Sequence, residues 1–278
     1  WDENRSLAEW REMLADSGWG CPTWPMEWFG RGLSPSLAAV VDAEFDRIGA
    51  VGVAGGSAMS LAAPTLLEHG SDDLKERYLL PTIRGEITWC QLFSEPGAAS
   101  DLAGLATRAV RDGDEWVVNG QKVWNTLAHL GDWGMLVART DPEQPKHKGL
   151  TYFALDMRLP GVEVRPLRQI TGEAEFNEVY MTDARVPDDC RIGAVGEGWR
   201  AALTTLMNER TAIGSGSGGS RRRGRRANND EGLETLSGRG GHAKDCLCQR
   251  LPRRRVRREQ GVDGALLCPP ARVEAERG

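Results

Sequence analysis

Two stretches hold the side chains that could act on a bound small molecule. The first runs from Trp89 to Asp101 and reads WCQLFSEPGAASD. Its apolar half, Trp89 to Phe93, has the run length and bulk of a buried strand. Its second half, Ser94 to Asp101, is a turn of Pro, Gly, Ser and two acids. Ser94 and Ser100 bring hydroxyls, and Gly97, Ala98 and Ala99 are small enough to let backbone come close to a ligand. A strand that opens into such a loop suits a flat, hydrogen-bonding cofactor; it also suits an ordinary surface loop. The second stretch is NGQKVWNT, Asn119 to Thr126, with an aromatic residue between polar neighbours.

Helices precede these stretches and short strands surround them. Leu7, Trp10 and Leu14 recur at helical spacing between Ser6 and Asp16. The Trp-rich segment Gly18–Gly32 is too aromatic to stand free in water and is expected to fold back on the body. Ser36 is expected to cap a helix whose apolar face is Leu37, Val40, Val41, Phe45 and Ile48. Gly52–Ala63 is rich in Gly and Ala, as tight helix packing requires. Ser71–Tyr78 reads as a short capped helix that Pro81 ends. Beyond Trp89, strands are expected at Leu105–Val110, Glu115–Val118, Lys122–Asn125, Gly134–Thr140, Leu150–Asp156, Val162–Leu167 and Phe176–Thr182. Asp112-Gly113 and Asn119-Gly120 read as hairpin turns. From Gly198 the period becomes helical again, with Leu203, Leu206, Arg210 and Ile213 on one stripe and Glu209 at its edge. By position alone, Arg210 snorkels and Glu209 is a surface ion-pair partner.

The chain of 278 residues has a formal net charge of −5, 40% hydrophobic and 27% charged residues. These are ordinary values for a globular protein with room for two domains. No apolar run is long enough for a membrane span. Of the six cysteines (Cys21, Cys90, Cys190, Cys246, Cys248 and Cys268) no pair has metal-finger spacing, so no metal is expected and the thiols read as reduced. The first residue is Trp and no secretory leader is recognisable, so a start within a longer frame and a cytoplasmic location are expected.

WCQLFSEPGAASD resembles the signature of the acyl-CoA dehydrogenase family, in which Cys-x-x-(Leu/Ile/Val)-(Thr/Ser)-Glu-Pro-x-x-(Gly/Ala)-Ser-Asp lines a flavin. NGQKVWNT resembles the second flavin strand of that family, Gly-x-Lys-x-Trp-(Ile/Asn)-(Thr/Ser). The resemblance covers roughly residues 5–213. It implies an α+β chain: an N-terminal α-helical domain (1–88), a flavin-binding β-barrel or sandwich middle domain (89–195) and the first helix of a C-terminal helical domain (196–214). It also implies bound FAD and α,β-dehydrogenation of an acyl-CoA thioester. The flavin contacts it transfers fall on Gln91, Phe93, Ser94, Trp124, Asn125 and Thr126. Ser100 matches a serine on the pantetheine side of the substrate. Asn125 stands where Ile is common, and Ala99 where Gly is frequent. In the isovaleryl and long-chain branches the base precedes an arginine on the helix opening the C-terminal domain. Glu209-Arg210 occupies that place, which makes Glu209 the candidate base and Arg210 a charge-neutralising substrate contact. Electron transfer flavoprotein and a homo- or hetero-oligomer are the implied partners.

After Gly214 the resemblance stops. GSGSGGS is linker-like, and RRRGRR and PRRRVRR are basic runs in a segment without aromatic residues. Residues 215–278 are expected to be an aberrant, disordered basic tail produced by a frameshift or truncation. Without an aromatic platform or reader motif, a nucleic-acid partner is not expected. Two other readings stay open: a non-catalytic fragment of the same family, and a flavin oxidase or monooxygenase of similar fold.

Overall fold

The computed structural model describes residues 6–98 and 100–214. The expected tail and the position of Ala99 lie outside the described residues.

Helices come first. α1 (Leu7–Ser17) begins on a complete capping box, in which Ser6 accepts from the Glu9 amide and Glu9 reaches back to the Ser6 amide. The Trp-rich segment does fold back: Trp24, Trp28 and Phe29 pack on the core, while Trp19 stays partly exposed beneath the Arg31 guanidinium. α2 (Pro35–Ile48) is capped by Ser34, not Ser36, because Pro35 takes the first helical position. Its apolar stripe is not buried. Ala38 is its buried residue, and Leu37, Val40 and Ile48 are more than half exposed. A π-helical turn at Ala58–Ala62 runs into α3 (Ala63–His69).

α4 (Asp72–Arg84) continues through Pro81 to a left-handed Gly85 cap. An interior proline costs a helix about 3 kcal/mol. Tyr78, Leu79 and Ile83 are completely buried on this helix, and each buried side chain of that size returns about 1.5–3 kcal/mol. Packing therefore outweighs the proline, and the helix runs a turn and a half beyond Tyr78.

The remaining elements are β1 (Trp89–Leu92), β2 (Arg108–Asp112), β3 (Glu115–Thr126), β4 (Trp133–Arg139), β5 (Leu150–Asp156), β6 (Val162–Leu167), β7 (Phe176–Pro187), β8 (Arg191–Ile192) and α5 (Gly198–Gly214). The strands form one mixed sheet in the order β6-β7-β3-β2-β4-β5-β8, with β1 added in parallel to β4. Helices followed by this sheet give the expected α+β class. β5 is buried at every residue, as a strand covered on both faces should be. β1 is anchored by an aromatic cluster: Tyr78 packs edge-on to Trp89 (5.2 Å) and Trp133 (4.7 Å), and Trp89 donates its indole N–H to Thr82 at 3.1 Å.

The expected hairpin at Asn119-Gly120 does not form. β3 runs unbroken through it, with a register irregularity between Val118 and Gly120. The turn-forming tendency is absorbed sideways: Asn119 exchanges hydrogen bonds with Asp183 on β7 (both 2.9 Å), and Asp183 takes the positive φ of 50°. Gly120 serves close approach, since a Cβ there would stand 2.3 Å from Thr107 Oγ1. The other hairpin, joining β2 to β3, pairs Asp112 with Glu115 around a left-handed Gly113.

α5 docks mainly by small residues, with Trp199 and Leu206 partly buried against the core. Ala201, Ala202 and Thr205 are buried, whereas Leu203 and Met207 are exposed. A Cβ at Gly198 would fall 2.6 Å from Thr151 Cα, so the helix enters against backbone. Thr205 bonds Thr65 (2.8 Å) and Tyr152 (3.1 Å), tying α5 to α3 and β5 through buried hydroxyls. Of the stripe Leu203–Leu206–Arg210, Leu206 alone packs against the core, and the closest approach is made by the small residues beside it. Short side chains bring the helix axis close enough for these hydrogen bonds, which leucines would prevent.

Candidate functional site: a strand-end seat beside α5

The two chemistry-bearing stretches meet in space. The Val123 amide donates to the Ser94 carbonyl at 2.9 Å, so the end of β1 lies along β3 where the second stretch passes. There β3 is irregular. Its register against β7 shifts between Lys122 and Asn125, Lys122 and Val123 are both buried, and Trp124 is turned outward.

Trp124 adopts φ 61°, the left-handed region that large side chains avoid, at a cost of about 1–2 kcal/mol. It is 63% exposed, with Phe176 edge-on at 6.1 Å. A strained backbone that presents an indole to solvent makes Trp124 a candidate for a role other than stability.

The other expected positions divide by environment. Ser94 and Thr126 are exposed and Gln91 is half-buried. Phe93 and Asn125 are buried, and their side chains pack or hydrogen-bond within the fold. Phe93 packs edge-on to Tyr152 (5.8 Å). Asn125 donates to the Asn177 carbonyl (3.2 Å) and its own carbonyl accepts from the Asn177 amide (3.0 Å). These two positions can offer a ligand backbone, not side chain. Ser100 lies exposed in the turn after Ala98.

α5 brings the acid. Gln91 Nε2 donates to Glu209 Oε2 at 3.4 Å, a long contact between residues 118 apart in sequence. Glu209 is half-buried and Arg210 exposed. The docking by Thr205, one helical turn earlier, is what points position 209 at β1. A carboxylate is thus held beside β1.

Sequence reasoning missed the buried pair behind the seat. Lys122 is fully buried and Glu95 nearly so, with Nζ 2.8 Å from Oε1. Lys122 also donates to the Phe93 carbonyl at 3.1 Å. Glu95 accepts from the amides of Ala106 (2.6 Å) and Thr107 (3.0 Å). Burial pushes the Lys122 ammonium down to about 8, against the opposing pull of Glu95. Burial also acts to raise Glu95, but the Lys122 charge and the hydrogen bonds hold it below its ordinary value. One signal was available. Lys122 stands in phase with inward-facing Trp116 and Val118, so alternation along β3 points it inside.

The seat has features that fit a flavin: an outward-facing indole, an exposed serine at a strand end, a half-buried amide and backbone near both. Residues 90–184 match the acyl-CoA dehydrogenase middle domain and residues 1–86 the N-terminal domain of the same family. The chain is 50% identical over 218 residues to acyl-CoA dehydrogenase FadE34 of Mycobacterium tuberculosis, covering 78% of this chain and 29% of that protein. It is 47% identical over 203 residues to acyl-CoA dehydrogenase IpdE1 of the same organism, covering 72% and 52%. Among solved structures, it is similar to the Tcur3481–Tcur3483 steroid ACAD (TM-score 0.63, 34% identity, 76% of this chain and 54% of that one). It is also similar to the ChsE4–ChsE5 complex from M. tuberculosis (TM-score 0.59, 32% identity, 73% and 52%). The chain spans about half the length of most of these relatives, and less of FadE34. With both domain types matched in order over a helical unit and a β-sheet of that architecture, this chain belongs to the acyl-CoA dehydrogenase family.

Proposed function

We propose that this chain provides the flavin seat and the base for FAD-dependent α,β-dehydrogenation of an acyl-CoA thioester. The observation that carries the reading is the contact of Gln91 with Glu209, which brings a carboxylate from α5 to the strand whose end is bonded to β3 one residue before the outward-facing Trp124. Bound FAD would supply the acceptor for the β-hydride. The protein's part is to hold the reactants and move one proton. Glu209 takes the α-proton as general base. Gln91 orients that carboxylate by a bond long enough to yield when substrate enters. Trp124 and Thr126 border the ring, Ser94 and Gln91 meet its polar edge, and Phe93 and Asn125 contribute backbone. Ser100 touches the pantetheine arm, and Arg210 offsets negative charge on the thioester's CoA portion.

Electron transfer flavoprotein is the proposed acceptor, and assembly with a like or related subunit is proposed to cover the exposed apolar faces of α2 and α5. The buried free thiols of Cys21, Cys90 and Cys190 support a cytoplasmic setting. Among the described residues, no helix is long and apolar enough to cross a membrane.

The test is reconstitution. The chain is expected to take up FAD, turn yellow, and bleach anaerobically with an acyl-CoA from a panel that includes short, long and steroid-bearing acyl groups. Slow reoxidation in air supports a dehydrogenase, and rapid reoxidation an oxidase. A colourless protein that stays colourless with excess FAD overturns the reading.

Trp124→Gly separates binding from folding. It relieves about 1–2 kcal/mol of left-handed strain, offset by about 0.5–1 kcal/mol of added chain entropy. The flavin-free melting temperature should therefore move by a few degrees at most. FAD affinity should drop about tenfold or more, the equivalent of one lost ring contact. A large fall in melting temperature without FAD would make Trp124 an ordinary packing residue.

A further inference from the structure

Three backbone segments converge on one ion pair. Lys122 comes from the kink in β3, Phe93 and Glu95 from the end of β1, and Ala106 and Thr107 from the approach to β2. Glu95 and Phe93 flank Ser94, and Lys122 stands two residues before Trp124. The pair thus sits directly behind the two positions that front the seat. Neither side chain faces the seat, since both are buried.

Stability alone does not explain such a pair. An apolar pair of the same volume often serves a core equally well or better, because two charges must be stripped of water. What apolar groups lack is direction. An ammonium gives donors along fixed lines to both a carbonyl and a carboxylate, and the carboxylate takes two amides in turn. Such a knot sets the angle between two strand ends as well as their distance.

We propose that Glu95 and Lys122 are positioning residues for the flavin seat: they lock the end of β1 to the kink in β3 and so hold Ser94 and Trp124 in the relation that a flat ring requires. This inference deepens the flavin reading and rests on it for the identity of the ligand.

The test uses the full chain with Lys122→Met, Lys122→Arg and the double variant Glu95→Gln/Lys122→Met. Hydrogen exchange at the Val123 amide is followed without flavin, and FAD affinity by fluorescence titration. The double variant removes both charges and is expected to stay folded, with β5 amides protected as in the wild type. Its Val123 amide should exchange at least tenfold faster, and its FAD affinity should fall at least tenfold. Lys122→Arg, which keeps directed donors, should regain part of both losses. Wild-type exchange at Val123 together with wild-type FAD affinity in the double variant overturns the proposal. Should the wild-type chain itself bind no FAD, the flavin reading falls, and Val123 exchange alone decides whether the pair locks the strand ends.

Discussion

Glu209→Gln is expected to slow flavin reduction by acyl-CoA about 10²–10⁴-fold, the usual contribution of a placed general base. Glutamine has nearly the same shape and can still accept from Gln91, but it cannot take a proton from carbon at useful rates. The loss should fall on the rate of reduction and leave acyl-CoA affinity close to wild type. FAD affinity and melting temperature should hardly change, because Glu209 is half-buried and its contact to Gln91 is long. Anaerobic stopped-flow absorbance of the FAD-loaded protein gives the rate, and thermal melting gives the control. Reduction at the wild-type rate would remove Glu209 from the chemistry and require a base from elsewhere. Gln91→Leu should cost less, about tenfold, since it deprives the carboxylate of orientation and not of basicity.

Lys122→Met should destabilise the fold by about 3–5 kcal/mol, the cost of stranding a buried carboxylate. Glu95 would keep its bonds from Ala106 and Thr107 but lose its counter-charge. Adding Glu95→Gln should recover most of that loss, because no uncompensated charge then remains inside. Urea unfolding of both single variants and the double completes the cycle. If the single variant matches the wild type in stability, the pair is not the buried charge centre described above. The pH dependence carries a sign. Lys122 titrates near 8 in the folded chain against 10.5 for a free lysine. Between those values the unfolded chain binds the proton more tightly, so this group makes stability rise as pH rises through that window. Glu95 has a lowered value, so its contribution is present above 4.5 and is lost as acid takes the pH through the folded value. In Lys122→Met the alkaline rise should disappear.

α2 and α5 expose the same limit of periodicity from two sides. On α2 the stripe Leu37–Val40–Ile48 is a good amphipathic pattern, yet no described residue covers it. On α5 only Leu206 of the visible stripe packs on the core, and the fully buried positions are the alanines and Thr205. Periodicity reveals that a helix has an apolar side, but the partner's shape decides whether large or small residues meet it. Pro81 and Asn119-Gly120 failed for a related reason. Each is a strong local signal, and each is overridden by the burial or pairing of its neighbours.

The amino-acid sequence by itself determined the order of helices then strands, the family, and the two stretches that face one another across β1 and β3, because these rest on short-range pattern and on residues consecutive in the chain. Only the tertiary structure decided that Phe93 and Asn125 turn inward, that Trp124 is held left-handed and outward, that Glu209 reaches Gln91, and that Glu95 pairs with Lys122. Those are contacts between residues tens to more than a hundred positions apart. The free energy that selects them comes from desolvation and hydrogen-bond direction at a place where several segments meet, and no single segment carries that information.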